Sequence, residues 1–273
     1  MTASPQDLID LIAAAERADG VRPVSEQTEL AVRAGAPAET VSHAGRVAGF
    51  AYAADDSAEL VVAPELRRQG VGTALLAALR DAGTADRIWA HGRISAAQAF
   101  ADHHGYLAER VLWQMRRPAG ALPAAALPAD VELRPFVPGQ DEQAWLAVNA
   151  RSFAHHPDQG RMTLADLQAR EAEPWFDPAG FLLAFRGGVL IGFHWTKIHP
   201  DGMGEIYVLG LDPAAQGMRL STPLAIAGLR SLAERGAPES LLYVDESNAA
   251  AKHLYEKLGY HEFRADVQFV PKK

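Results

Sequence analysis

A chain of 273 residues, 48% of them hydrophobic, can bury a sizeable core, and its length falls between one large domain and two ordinary ones. A formal net charge of -8 argues against a general nucleic-acid binder, because phosphate affinity comes from clustered Lys and Arg that release counterions. The absence of cysteine excludes disulfides, thiolate metal sites and a cysteine nucleophile, so any thiol in the chemistry belongs to a ligand.

Along the chain, the apolar run from Leu8 to Ala15 is too short for a membrane span and reads as an amphipathic helix. No other stretch approaches about eighteen uninterrupted apolar residues, so a cytoplasmic protein without a membrane partner is expected. Glu59 to Val62 reads as a strand and the segment ending at Arg80 as a helix. Between them, Arg67 to Thr73 carries two arginines and two glycines. There the backbone can approach a phosphate and the free N–H groups of a helix start can attract it. A helical segment from Ala96 then runs to Gly105 and Tyr106.

Between Arg117 and Val131, the prolines at 118, 123 and 128 make a continuous helix or central strand unfavourable. This segment is the expected linker, residues 118–130, between domains at 1–117 and 131–273. The same order recurs after it: a strand from Glu205, a Pro-led turn at Pro213, a helix around Leu224 to Leu232, and a segment from Asn248 to Gly259 and Tyr260. Internal duplication of an α/β unit is the economical explanation. Two covalently joined domains stand in for a dimer of single ones, so a monomer is expected.

The Arg67–Thr73 loop, set between strand and helix, resembles the acetyl-CoA loop of the GNAT N-acetyltransferase family. That resemblance implies two tandem GNAT domains, each a mixed α/β sheet flanked by helices, with acetyl-CoA held as cosubstrate between two splayed parallel strands and no metal. In the first half it assigns CoA contacts to Leu60, Val61 and Val62 on the strand and to Arg68, Gln69, Gly70, Val71, Gly72 and Thr73 in the loop. In the second it assigns them to Leu209, Gly210 and Leu211, to Gln216, Gly217, Met218, Arg219, Leu220, Ser221 and Thr222, and to Asn248, Ala249, Ala250, Ala251, Lys252 and His253. Arg219 and Ser221 stand where the family pattern has glycine.

Longer runs narrow the resemblance. His156–Gly160, Trp175–Pro178, Gly192–Pro200, Gly204–Gln216 and Leu242–Asp245, with Val24–Gln27, Trp89–Gly92 and Gln114–Pro118 in the first half, are similar to the mycothiol synthase family. The family's reaction transfers acetyl to the cysteine amine of cysteinyl-glucosaminyl-inositol. The resemblance makes Glu205 the general base and Tyr255 the general acid, and points to Glu26, Asp158, Lys197, Glu205 and Tyr243 for substrate binding. An α-amine with a pKa of roughly 7.7 to 8.0 must lose a proton before attack, which gives a carboxylate its task.

The residues by themselves leave alternatives open. Glu26, Asp158 and Lys197 also read as solvated charges, and Tyr255 with Leu254 and Leu258 as a packed helical face. The histidines at 155, 156, 194 and 199 lack a carboxylate or cysteine at familiar ligand spacing, so no metal is expected. The position of the first half that matches Tyr255 is Ala101, and Asp56 is the rough counterpart of Glu205, so catalysis is expected in the second half. Other readings are a tandem acetyltransferase for another amine and a non-catalytic CoA-binding protein.

Overall fold

The computed structural model describes residues 3–54, 57–154, 159–215 and 217–272. The chain divides into two compact units, Met1–Trp113 with Arg264–Lys273, and Gln114–Phe263.

The N-terminal unit begins with α1 (Pro5–Asp19), whose N-cap Ser4 accepts from Asp7 N–H while Asp7 reaches back to Ser4 N–H, and which ends at Gly20 in the left-handed conformation. Its apolar stripe, Leu8, Leu11, Ile12 and Ala15, is buried, as the spacing requires. Next come α2 (Glu26–Arg33), capped by Ser25, then β1 (Glu39–His43), β2 (Arg46–Ala54) and β3 (Ser57–Val62). The helix α3 (Val71–Asp81), β4 (Ile88–Ala90), α4 (Ser95–His103) and β5 (Tyr106–Pro118) follow. Strands β1, β2 and β3 pair antiparallel, and β3 pairs β4 in parallel. Leu75, Leu76 and Leu79 of α3 fill the core on one face of this mixed sheet, and the α1 stripe with Phe50 and Val61 fills it on the other.

The C-terminal unit contains β6 (Val131–Pro135), α5 (Glu142–Ser152), α6 (Leu164–Glu171), β7 (Phe181–Arg186), β8 (Val189–Ile198) and β9 (Gly204–Leu211). It continues through α7 (Ser221–Glu234), β10 (Glu239–Asp245) and α8 (Ala249–Lys257) to the start of β11 (His261–Pro271), whose remainder from Arg264 belongs to the N-terminal unit. The unit boundaries fall inside β5 and β11. Antiparallel pairing joins β6 to β7, β7 to β8 and β8 to β9, and β9 pairs β10 in parallel. One face is packed with aromatic side chains, in which Trp195 stacks on Phe181 at 4.4 Å between centroids and Trp145 meets both edge-on. The segment 119–130 contains no helix or strand.

Candidate active site

The position of the site follows from how β9 is paired. Its ladder with β10 runs only over Gly204–Ser240, Glu205–Leu241 and Ile206–Leu242. At that point the ladder with β8 slips: Thr196 faces Ile206 but Trp195 faces Val208, leaving Tyr207 as the extra residue of a bulge. A bulge bends its strand and increases its twist, so β9 leaves β10 after Ile206 and Leu242. This opens a cleft between two parallel strands with Leu209, Gly210 and Leu211 along one edge. In the N-terminal unit the parallel pairing of β3 with β4 likewise covers only Ala58–Ile88 and Glu59–Trp89 among the described residues. Leu60, Val61 and Val62 continue beyond it.

Glu205 lies at the root of the C-terminal cleft and is 6% exposed. Its Oε2 is 2.7 Å from His199 Nε2. Lys197 faces it in the β8–β9 register, itself buried, with its ammonium 4.3 Å from the Trp175 ring centre and 5.3 Å from that of Tyr207. The guanidinium of Arg170 donates to Tyr207 Oη at 2.7 Å. Across the cleft root, the Tyr260 hydroxyl lies 2.7 Å from Ser240 Oγ. Burial raises the pKa of Tyr260, and the nearby Glu205 charge pushes it the same way.

Tyr255, on α8, packs its ring 5.8 Å from that of Tyr260. Burial raises the Tyr255 phenol well above its ordinary pKa, so it keeps its proton at neutral pH. Ala101 occupies the matching place on α4 and is buried.

Each unit places a loop between the splayed strand and the next helix. Four and six residues after the turn proline, the backbone enters the left-handed region: Arg68 at φ 62° and Gly70 at 85° after Pro64, Gly217 at 83° and Arg219 at 55° after Pro213. Neither α3 nor α7 has a side-chain N-cap, as is also true of α4 and α5, so the first N–H groups of α3 and α7 remain available to an anion. Beneath α7, the buried His194 bonds the carbonyl of Leu224 at 2.9 Å, and a Cβ at Gly228 would meet its ring at 2.1 Å. The helix is thus seated closely on the sheet. Among the residues expected to hold CoA from α8, Asn248 caps the helix through Ala251 N–H, and Lys252 pairs with Glu262 at 2.6 Å.

Asp56, His155, His156, Asp158 and Gln216 lie outside the described residues. Glu26 opens α2 in the N-terminal unit. Tyr243 is 43% exposed and accepts from Gln114 Nε2 at 2.7 Å. Arg67, part of the loop read as an anion cradle, instead forms a two-pronged pair with Asp19, both contacts 2.7 Å, and thereby fastens the loop to α1.

Sequence reasoning missed two clusters. One is His199, considered only as a metal ligand. Its signal lay in the turn His199–Gly202, which closes the β8–β9 hairpin and sets 199 diagonal to 205, within reach of long side chains. The other is in the N-terminal unit: His91 bridges Glu59 at 3.1 Å and Asp266 at 2.9 Å, Ser25 N–H donates to Glu59, and Gly92 N–H donates to Asp266. Burial alone would lower the pKa of His91, but the bonds to Asp266 and Glu59 outweigh it and raise it to about 10. The carboxylates are occupied by partners within the chain, so this cluster ties the C-terminal segment and α2 to the unit. No signal in one sequence links residue 266 to residue 91.

A parallel strand pair whose ladder ends early, followed by a turn and a helix without a side-chain cap, is present in each half and defines a tandem GNAT acetyltransferase. The profile described as acetyltransferase (GNAT) family matches residues 149–260, and an acetyltransferase (GNAT) domain profile matches 38–107. A GCN5-related N-acetyltransferase from Sphaerobacter thermophilus superposes with a TM-score of 0.70 at 25% identity, covering 98% of this chain and 93% of that one. A tandem GNAT protein from the clavulanic acid biosynthesis pathway shares the fold at 17% identity, with a TM-score of 0.69 and coverage of 97% and 94%.

Curated relatives are closer in sequence. The mycothiol acetyltransferase of Thermomonospora curvata is 51% identical over 96% of this chain and 92% of its own length. That of Thermobispora bispora is 50% identical over 96% and 94%. The chain belongs to the mycothiol acetyltransferase family and is an acetyl-transferring acyltransferase.

Proposed function

We propose that this protein is a cytoplasmic monomer whose C-terminal unit transfers acetyl from acetyl-CoA to the cysteine amine of cysteinyl-glucosaminyl-inositol, giving mycothiol and CoA. The observation that carries the reading is a buried carboxylate, Glu205, at the root of a cleft between parting parallel strands. No helix among the described residues is long and apolar enough to cross a membrane.

Acetyl-CoA supplies an activated acetyl group as its thioester. The edge formed by Leu209, Gly210 and Leu211 has lost its partner strand and can bond a pantetheine amide, while the Gly217–Thr222 loop and the first turn of α7 suit a pyrophosphate. The Gly70–Thr73 loop offers the N-terminal unit a second site of the same kind. Glu205 removes a proton from the acceptor ammonium, because only the free amine has a lone pair for the thioester carbon. Tyr255, protonated by virtue of its burial, supplies a hydrogen bond and then a proton to the departing thiolate. Lys197 and Tyr243 contact the sugar and inositol hydroxyls from the C-terminal unit.

The test is CoA release with cysteinyl-glucosaminyl-inositol, with other amines and without an acceptor. Turnover confined to the first supports the reading; turnover with another amine points to a different acetyltransferase. CoA binding without turnover on any acceptor points to a non-catalytic binder.

A further inference from the structure

We propose that His199 is a positioning residue for the transfer: it holds the Glu205 carboxylate and relays to solvent the proton that Glu205 removes. This rests on the reading of Glu205 as the base.

The geometry supplies the first argument. His199 Nε2 and Glu205 Oε2 are 2.7 Å apart, yet the Glu205 side chain is only 8% exposed whereas that of His199 is 27% exposed. The imidazole therefore lies between an enclosed carboxylate and water. The backbone that carries it is held in a turn, because His199 N–H donates to Met203 O at 2.8 Å, Gly202 N–H donates to His199 O at 2.9 Å, and Met203 N–H donates to Asp201 at 3.0 Å.

The other groups near Glu205 do not offer the same route. Lys197 on β8 is buried against Trp175 and Tyr207, and an ammonium cannot accept a proton. Tyr260 and, behind it, Tyr255 on α8 are kept protonated by burial. Arg117, which lies near Tyr260, donates to Leu258 O, and a guanidinium has no acceptor to offer.

The proton count supplies the second argument. The acceptor enters as an ammonium and leaves as an amide, so its nitrogen loses two protons. The first must go before the C–N bond can form. The C–S bond then breaks with its electron pair on sulfur, and the second proton ends on the CoA thiolate. Ammonium plus acetyl-CoA thus gives amide, CoA thiol and one free proton, which must reach water on every turnover.

The second nitrogen proton restores the Tyr255 phenol that protonated the thiolate, whereas a buried Glu205 that kept the first proton could not take one from the next acceptor. When Nε2 accepts the proton from Oε2, the carboxylate is restored, and the imidazolium returns to neutrality by losing a proton to water.

His199→Gln leaves an amide donor for Glu205 but cannot carry a proton. The expected result is a kcat lower by at least about tenfold with an unchanged KM for acetyl-CoA, a loss typical of impaired acid–base catalysis. Imidazole added to the assay should restore turnover in proportion to its concentration in His199→Gln and not in Glu205→Gln. Wild-type turnover in His199→Gln overturns the proposal, and so does a slow variant indifferent to imidazole, since a merely structural role would show that. If Glu205→Gln itself turns over normally, the base assignment fails. If Glu205→Gln is inactive while His199→Gln is not slowed, only the relay fails.

Discussion

The two CoA-type loops differ by an exchange of residue types at the same two backbone positions. The N-terminal loop puts Arg68 and then Gly70 in the left-handed region, and the C-terminal loop puts Gly217 and then Arg219 there. Left-handed backbone costs a residue with a Cβ about 1 kcal/mol more than glycine, so each loop carries one strained arginine. The trace is the same in both, which teaches that the turn proline, the strand before it and the seated helix after it impose the path. The difference between the units lies deeper: the C-terminal cleft has Glu205 at its root and Tyr255 on α8, and the N-terminal unit has the Glu59–His91–Asp266 cluster and Ala101.

The sharpest way to break this comparison is to exchange a carboxylate for an amide in each unit. Glu205→Gln should lower kcat by about 10²- to 10⁴-fold, the range for a lost general base, with acetyl-CoA affinity measured by calorimetry little changed. Glu59→Gln should do the reverse. It leaves the largely enclosed His91 short of one ion-pair partner, so unfolding by denaturant should show a loss of about 3 kcal/mol, while the folded fraction turns over normally.

The same cluster should make stability fall at alkaline pH. His91 titrates at about 10 in the folded chain against an ordinary value near 6.5. Its contribution is complete below about 6.5, declines as the pH rises toward 10, and is lost above that. Melting temperatures across this range should therefore decline more steeply in the wild type than in His91→Gln, and equal slopes would show that the imidazolium is not what ties the cluster together. His194 has the opposite sign: burial lowers it to about 4, so the neutral ring favours the folded state above about 6.5, and that contribution is lost as the pH falls toward 4.

Tyr255→Phe keeps the packed ring and removes the hydroxyl. A reduction in kcat of about ten- to a hundredfold with an unaltered melting temperature would sharpen the catalytic distinction from Ala101, and an unchanged kcat would make Tyr255 a core residue alone. The smallest expected effect returns to the loops. Arg219→Gly should stabilise the C-terminal loop and Gly70→Ala destabilise the N-terminal one, each by about 1 kcal/mol. Nothing lies within 4 Å of a Cβ built on Gly70, so backbone strain alone is measured there.

Much of the architecture was legible in the chain. The period of Leu8, Leu11, Ile12 and Ala15, the loop from Arg67 to Gly72 between an apolar run and an amphipathic one, and the recurrence of that order after the prolines are local signals, since hydrophobic spacing and turn residues act through neighbours a few positions apart. The identity of Glu205 and Tyr255 as candidates came from family resemblance, and their spacing alone did not separate them from surface and core residues. Tertiary structure decided what depends on distant segments meeting. The bulge at Tyr207 parts β9 from β10, Asp19 claims Arg67, His199 closes on Glu205, and Asp266 reaches His91 from the far end of the chain. Such contacts are set by register and packing, and the local pattern at either partner gives no sign of the other.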